Sequence, residues 1–153
     1  MKQLMSETGE ADWKAAEKAT VEFYRAAGLP PPSRFVRVRN PVRALRVGEL
    51  EEPGGNMFFA PSWAGAAAVA EHRGVQGFKP LVDLLKACGG LYPTRDLAIL
   101  IDRPSLISLD TNQVLHSENG PALAWGREPN TGEYSSEDPE YFAMFYTHGK
   151  RIH

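Results

Sequence analysis

Two histidines and a glutamate are the residues of this chain best suited to chemistry. His116 and Glu118 sit two apart in "VLHSENGPALAW" (Val114–Trp125), and His148 follows in "THGK". On a strand, residues two apart share a face, so Val114, His116 and Glu118 would point one way and Leu115 and Ser117 the other. A carboxylate beside an imidazole can orient it and make it a better base. With His148 brought alongside, the three could act as base, orienter and acid in an enzyme, or as a two-histidine, one-carboxylate metal site. A plainer role competes with both: a histidine beside a turn often bonds the turn backbone, and Glu118 can accept exposed N–H groups there.

Most other catalytic signatures are excluded. The single cysteine, Cys88, permits neither an internal disulfide nor a zinc site built on several thiolates. The His-x-Glu spacing is shared with zinc deaminases, but their Pro-Cys-x-x-Cys ligand pair is missing. There is no P-loop, no Gly-x-Gly-x-x-Gly after a strand, no His-Glu-x-x-His and no Gly-x-Ser-x-Gly elbow. No metal and no cofactor is therefore expected. Cys88 reads as a small buried hydrophobe, and His72 as a residue at a helix C-terminus.

These residues must be carried by a scaffold. A chain of 153 residues with 42% hydrophobic and 24% charged residues is expected to fold as one domain, 1–153. Its first 90 residues read as mainly helical with one strand. A helix is expected from about Gly9 to Ala27, with Trp13, Ala16, Thr20, Tyr24 and Ala27 on one face and Ser6 or Thr8 as its cap. Gly28 and the prolines at 30–32 should end it. "RFVRVR" (Arg34–Arg39) alternates like a half-buried strand. Asn40-Pro41 should cap and start a short helix through Arg46. "SWAGAAAVAEH", capped by Ser62, and "KPLVDLLKAC" read as two more helices. From residue 91 to 153 the period shortens to that of an antiparallel meander, "DLAILID", "SLISL", "QVLHS", "ALAW" and "YFAMFYTH". Asn119-Gly120 is a tight-turn signal within it, and 126–140 is an acidic insert. The fold class is α+β, with the helical N-terminal part packed on the C-terminal meander.

Charge points to one further surface. Arg25, Arg34, Arg37, Arg39, Arg43 and Arg46 lie in a stretch with no acid. Arg37 and Arg39 would share a strand face, and forked guanidinium donors suit phosphate or carboxylate. Only Phe35 offers a base a stacking partner within this stretch, so nucleic acid is possible but not favoured. The insert holds five acids against Arg127, a net charge of -4, and could lie over the arginine face as a cover. The overall charge of -2 gives no general attraction to polyanions. The N-terminus lacks the apolar core of a signal peptide, and the apolar run Ala64–Ala70 is too short to cross a bilayer. A cytoplasmic location and no membrane partner are expected.

"FYRAAGLPPPSRFVRVRNPVRAL", "YPTRDLAILIDRPSLISLDTNQVLHSENGPALAW" and "YTHGKRI" together resemble a bacterial domain family of unknown function. Its signature is Leu-His-x-x-Asp/Asn-Gly-Pro-Ala with a Tyr-x-x-His-Gly-x-Arg-Val ending. In this chain Leu115–Ala122 and Tyr146–Ile152 are similar to those motifs. The insert at Gly126–Glu140 departs from the family's short Asp-Gly hairpin, and longer members often continue past the equivalent of His153. The resemblance implies a fold and a cytoplasmic setting, and no activity or cofactor. A stand-alone copy would suit a phage or mobile-element gene.

The leading expectation is a domain that binds another protein. The meander is the platform, Trp125, Tyr141 and Phe145 its apolar anchors, and the arginines and acidic insert set orientation. An enzyme built on His116, Glu118 and His148 is the first alternative, and anion or nucleic-acid binding through Arg34, Arg37, Arg39, Arg43 and Arg46 the second.

Overall fold

The computed structural model describes residues 8–55, 58–59, 79–126 and 141–152. The expected helix at Ser62–His72, Trp63 and the acidic residues of the insert lie outside them.

The first helix, α1 (Trp13–Ala26), starts later than its apolar spacing suggests. Asp12 is its cap rather than Thr8, accepting a hydrogen bond from the Ala15 N–H at 3.0 Å. The Asp12 N–H in turn donates to the Ala87 carbonyl at 2.8 Å, fastening the helix start to the end of a later helix. At the other end Gly28 adopts φ 74°. Its N–H bonds the Arg25 carbonyl and that of Leu29 bonds Tyr24, a Schellman closure that accounts for the Gly-Leu-Pro sequence. Ala16, Ala19, Thr20 and Tyr24 form the buried face.

Strand β1 (Arg34–Val38) leads into helix α2 (Pro41–Glu51), which Asn40 caps by accepting from the Arg43 N–H at 2.9 Å. Proline at the first helical position fits there because its missing N–H would have had no helical partner. The helix runs five residues beyond the expected end. Gly48 explains part of its placement: a Cβ there would lie 2.5 Å from the Tyr92 ring, so glycine lets the helix sit against that ring.

Short strand β2 (Phe58–Phe59), helix α3 (Lys79–Ala87) and strands β3 (Gly90–Pro93) and β4 (Leu97–Ile101) follow. The four strands form one sheet in the order β1-β4-β3-β2. β1 runs parallel to β4, pairing Arg34 with Leu97 through Val38 with Ile101, while β3 and β4 are antiparallel. Both faces of β4 are covered. Leu97, Ile99 and Ile101 pack with Val38, Ala44 and Tyr92 on the α2 side, and Ala98 and Leu100 join the core of α1 and α3. A strand buried on both sides reads as a continuous apolar run, as "LAILI" does.

The remaining chain forms a second sheet, β5 (Leu106–Ile107), β6 (Leu123–Trp125) and β7 (Phe142–Met144), and a hairpin of β8 (Tyr146–Thr147) and β9 (Lys150–Arg151). The fold is α+β. Its C-terminal strands are shared among separate sheets rather than strung into one meander. "QVLHS" contributes a single bridge, Leu109 to Leu115, and "YFAMFYTH" breaks at Phe145 into β7 and β8. Trp125 is fully buried, and its indole N–H donates to the Asp102 carbonyl at 2.9 Å. No helix among the described residues is long and apolar enough to cross a membrane.

Candidate functional site

Two tight turns bring the histidines together. The first is at Asp110–Val114, where one Asp110 carboxylate oxygen accepts from the Asn112 and Val114 N–H groups at 2.8 and 3.2 Å. The Asp110 carbonyl takes the Gln113 N–H at 3.0 Å, and Gln113 itself adopts φ 64°. An aspartate bonding the backbone two residues on is a common way to close a turn. The strand reversal lies here, since Leu115 and Leu123 both run antiparallel to the 106–109 segment. The chain only bends at 118–120, and neither Asn119 nor Gly120 has the positive φ of a two-residue hairpin turn.

The second turn joins β8 to β9. Thr147 pairs with Lys150, leaving His148 and Gly149 as the two loop residues, with φ 45° and 80°. Two successive positive φ values suit the right-handed twist of a two-residue hairpin. Glycine takes such a value freely, whereas histidine does so at a cost of roughly 1–2 kcal/mol. The hairpin is fixed against the first turn through the Gly149 N–H to the Leu115 carbonyl, 2.8 Å, and the Ser117 N–H to the Tyr146 carbonyl, 3.1 Å.

In this setting the two imidazoles stack, with centroids 4.0 Å apart and planes 14° from parallel. The His148 backbone N–H donates to His116 Nδ1 at 3.1 Å. That bond uses the Nδ1 lone pair, so in this arrangement the proton of a neutral His116 ring is on Nε2. His148 Nδ1 lies 2.9 Å from Asp110 Oδ2. An ionised carboxylate only accepts, so Nδ1 carries the proton and Nε2 of a neutral His148 ring keeps an open lone pair. The hydrogen bond from His148 holds the Asp110 carboxyl below the usual carboxylate range; the Val114 and Asn112 N–H groups add to this, against the opposing effect of desolvation. The Asp110 side chain is 7% exposed and that of His148 67%. A sheltered carboxylate thus orients an imidazole that is itself largely exposed.

Of the three residues singled out from sequence, the fold unites His116 and His148. Glu118 stays at the edge, 81% exposed and 3.9 Å from His116 Nε2, too far for a hydrogen bond. Asp110 is the partner that sequence reading missed. Its signal was the turn-forming "DTN", which marks a reversal but not which side chain will reach it. The stack also argues against a two-histidine chelate. Imidazole lone pairs lie in the ring plane, and nearly parallel rings direct them side by side rather than toward one ion.

The arginine face is less open than its composition suggests. Arg34 pairs with Glu51 at 3.7 Å. Arg37 pairs with Glu17 at 3.2 Å and lies over the Trp13 ring, 5.3 Å from its centroid. Arg25 pairs with Glu22, and Arg39, Arg43 and Arg46 also make interactions of their own. The comb expected of Arg37 and Arg39 is thus tied to α1 at one tooth. The proposed acidic cover lies outside the described residues. Two of the three expected binding anchors are interior: Trp125 is 0% and Tyr141 8% exposed, so neither offers surface to a partner. Phe145 is half-buried.

The chain matches no protein-family model, no curated protein and no solved structure.

Proposed function

We propose that this chain carries an acid–base catalytic site in which His148 is the general base, Asp110 orients it, and His116 supports its ring. The observation that carries the reading is the 2.9 Å contact of His148 Nδ1 with Asp110, on a side chain that is otherwise largely exposed. A base held in one tautomer by a carboxylate can take a proton from water or a substrate hydroxyl during hydrolysis or group transfer, an effect typically worth about 10²–10⁴-fold in rate. The reaction would take place in the cytoplasm. The test is turnover of chromogenic ester, phosphodiester and glycoside substrates by the full chain, His148→Gln and Asp110→Asn. Activity that falls at least about 10²-fold in His148→Gln supports the site. Activity equal in all three proteins, or in none above buffer, removes it.

A second reading is binding to another protein, favoured by one observation. Ile152 is 47% exposed, and its N–H bonds the carbonyl of half-buried Phe145, so the two lie together at the edge of the C-terminal hairpin. Affinity capture from a host lysate with wild type and Ile152→Asp would test it. A stoichiometric protein retained at high salt by wild type alone supports the binding role, and its retention by both removes this patch.

A further inference from the structure

A separate feature lies between the end of α1, the loop after α2 and the β3–β4 turn. It is an open cleft of about 560 Å³, and none of its lining residues belongs to the histidine site. That volume falls within the roughly 300–1,000 Å³ of sites that hold small molecules. Phe23, Leu29, Pro30 and Pro93 supply apolar walls, and Glu52 and Arg95 supply opposite charges. Leu29 is 56% exposed, a large apolar side chain left facing the opening.

The polar groups of the cleft divide into two kinds. The floor is satisfied: the Tyr24 hydroxyl donates to the Thr94 carbonyl, and the Thr94 hydroxyl to that of Leu97. Burial, and then the charge of Glu52, push the Tyr24 phenol up to about 12, so it stays a protonated, committed donor. The rim is different. Glu52 is held at both ends, its N–H on the Gly48 carbonyl and its Oε2 on the Arg95 N–H at 2.8 Å. Its other oxygen makes no bond among the described residues, and neither does the Arg95 guanidinium. The two opposite charges line one cleft, share a backbone contact, and still form no ion pair with each other among the described residues.

We infer that this cleft binds a small apolar zwitterion, an apolar amino acid or a short peptide with free ends. Glu52 takes the ammonium group, Arg95 the carboxylate, and the Phe23–Pro93 walls the side chain. Charge complementarity carries the assignment: a purely apolar ligand would leave both charges unused, and a simple carboxylate would face Glu52 without compensation. Arginine's planar fork suits a carboxylate in two-point contact.

Calorimetric titration of the full chain with L-phenylalanine and with leucyl-phenylalanine tests this, alongside the N-acetylated and C-amidated form of each. At least one zwitterion is expected to bind one per chain, and each capped form about tenfold or more weaker, the loss of one charged hydrogen bond. Arg95→Gln should abolish discrimination against the amide, and Glu52→Gln discrimination against the acetylated form. Binding of phenylalanine alone assigns the class to amino acids, and of the dipeptide alone to short peptides. No heat from either at millimolar concentration, or capped forms that bind as tightly as free ones, overturns the inference.

Discussion

The backbone N–H of His148 donates to Nδ1 of His116 at 3.1 Å, and the two rings stack on each other. One histidine is therefore a turn clasp for the other, and the clasp holds a left-handed residue in place. Removing the acceptor should loosen the β8–β9 turn. His116→Ala is expected to lower stability by about 1 kcal/mol or somewhat more, and to speed amide exchange at His148. His116→Asn offers an oxygen near the place of Nδ1 and should restore most of both. Thermal unfolding and hydrogen exchange on the two variants check this. Equal losses in Ala and Asn would mean that ring stacking, not the acceptor, fixes the turn.

Asp110 makes a prediction with a definite pH sign. Its pKa is lowered on folding, first by the His148 bond and then by two backbone N–H groups. Such a carboxylate adds stability that is fully present above its unfolded value, about 3.9, and is lost as pH falls through its lower folded value. Asp110→Asn keeps an oxygen for the Asn112 and Val114 N–H groups but loses the charge. Its melting temperature should therefore lie below wild type at pH 6, with the gap closing as the pH is taken down toward about 2. Melting curves followed by circular dichroism at a series of pH values measure the gap. A gap of constant width across that range would contradict the assignment.

Which features could be read from sequence follows from how local their causes are. Asn40-Pro41 and Gly28 with its prolines were legible because cap and stop chemistry acts within a few residues. The start of α1 was not, because Asp12 and Thr8 are both able caps, and the bond from Asp12 to Ala87 belongs to the tertiary structure. Asn119-Gly120 is the stronger turn signal in isolation. The pairing of Leu106 with Ala124 and Ile107 with Leu123 makes 108–122 one long excursion, and Asp110 closes the reversal inside it. The parallel seat of β1 beside β4 joins residues more than 60 apart, which alternation alone cannot specify. His116 and His148 were recognisable as candidates. Their meeting depends on the Gly149–Leu115 and Ser117–Tyr146 bonds, a register no single strand encodes.

Trp125 separates a core role from an interface role. It is fully enclosed, bonded to the Asp102 carbonyl, and 6.0 Å from the Phe142 ring. Trp125→Ala should cost about 3–5 kcal/mol, the range for truncating a buried aromatic. Trp125→Phe, which keeps part of the ring volume but loses the indole donor, should cost less. Denaturant unfolding of both variants gives the values. A cost below about 1 kcal/mol for alanine would place the side chain at a surface instead, the position required of a partner anchor.

Cys88 tests the same core by chemistry. It is 1% exposed, its thiol donates to the Gly90 carbonyl at 3.4 Å, and burial pushes its pKa up to about 12. The thiolate is the reactive form, so both access and ionisation protect this sulfur in the folded chain. Reaction with Ellman's reagent at pH 8 should release no thiolate over the first minutes from native protein, and one equivalent once the chain is unfolded in guanidinium. Any slow native reaction should then report opening of the region around α3 and β3, and should slow under conditions that stabilise the fold. Prompt reaction of the native protein would show that the junction of α3 and β3 is open to solvent, contrary to the packing of Cys88 with Leu84, Leu91 and Leu100 in one core.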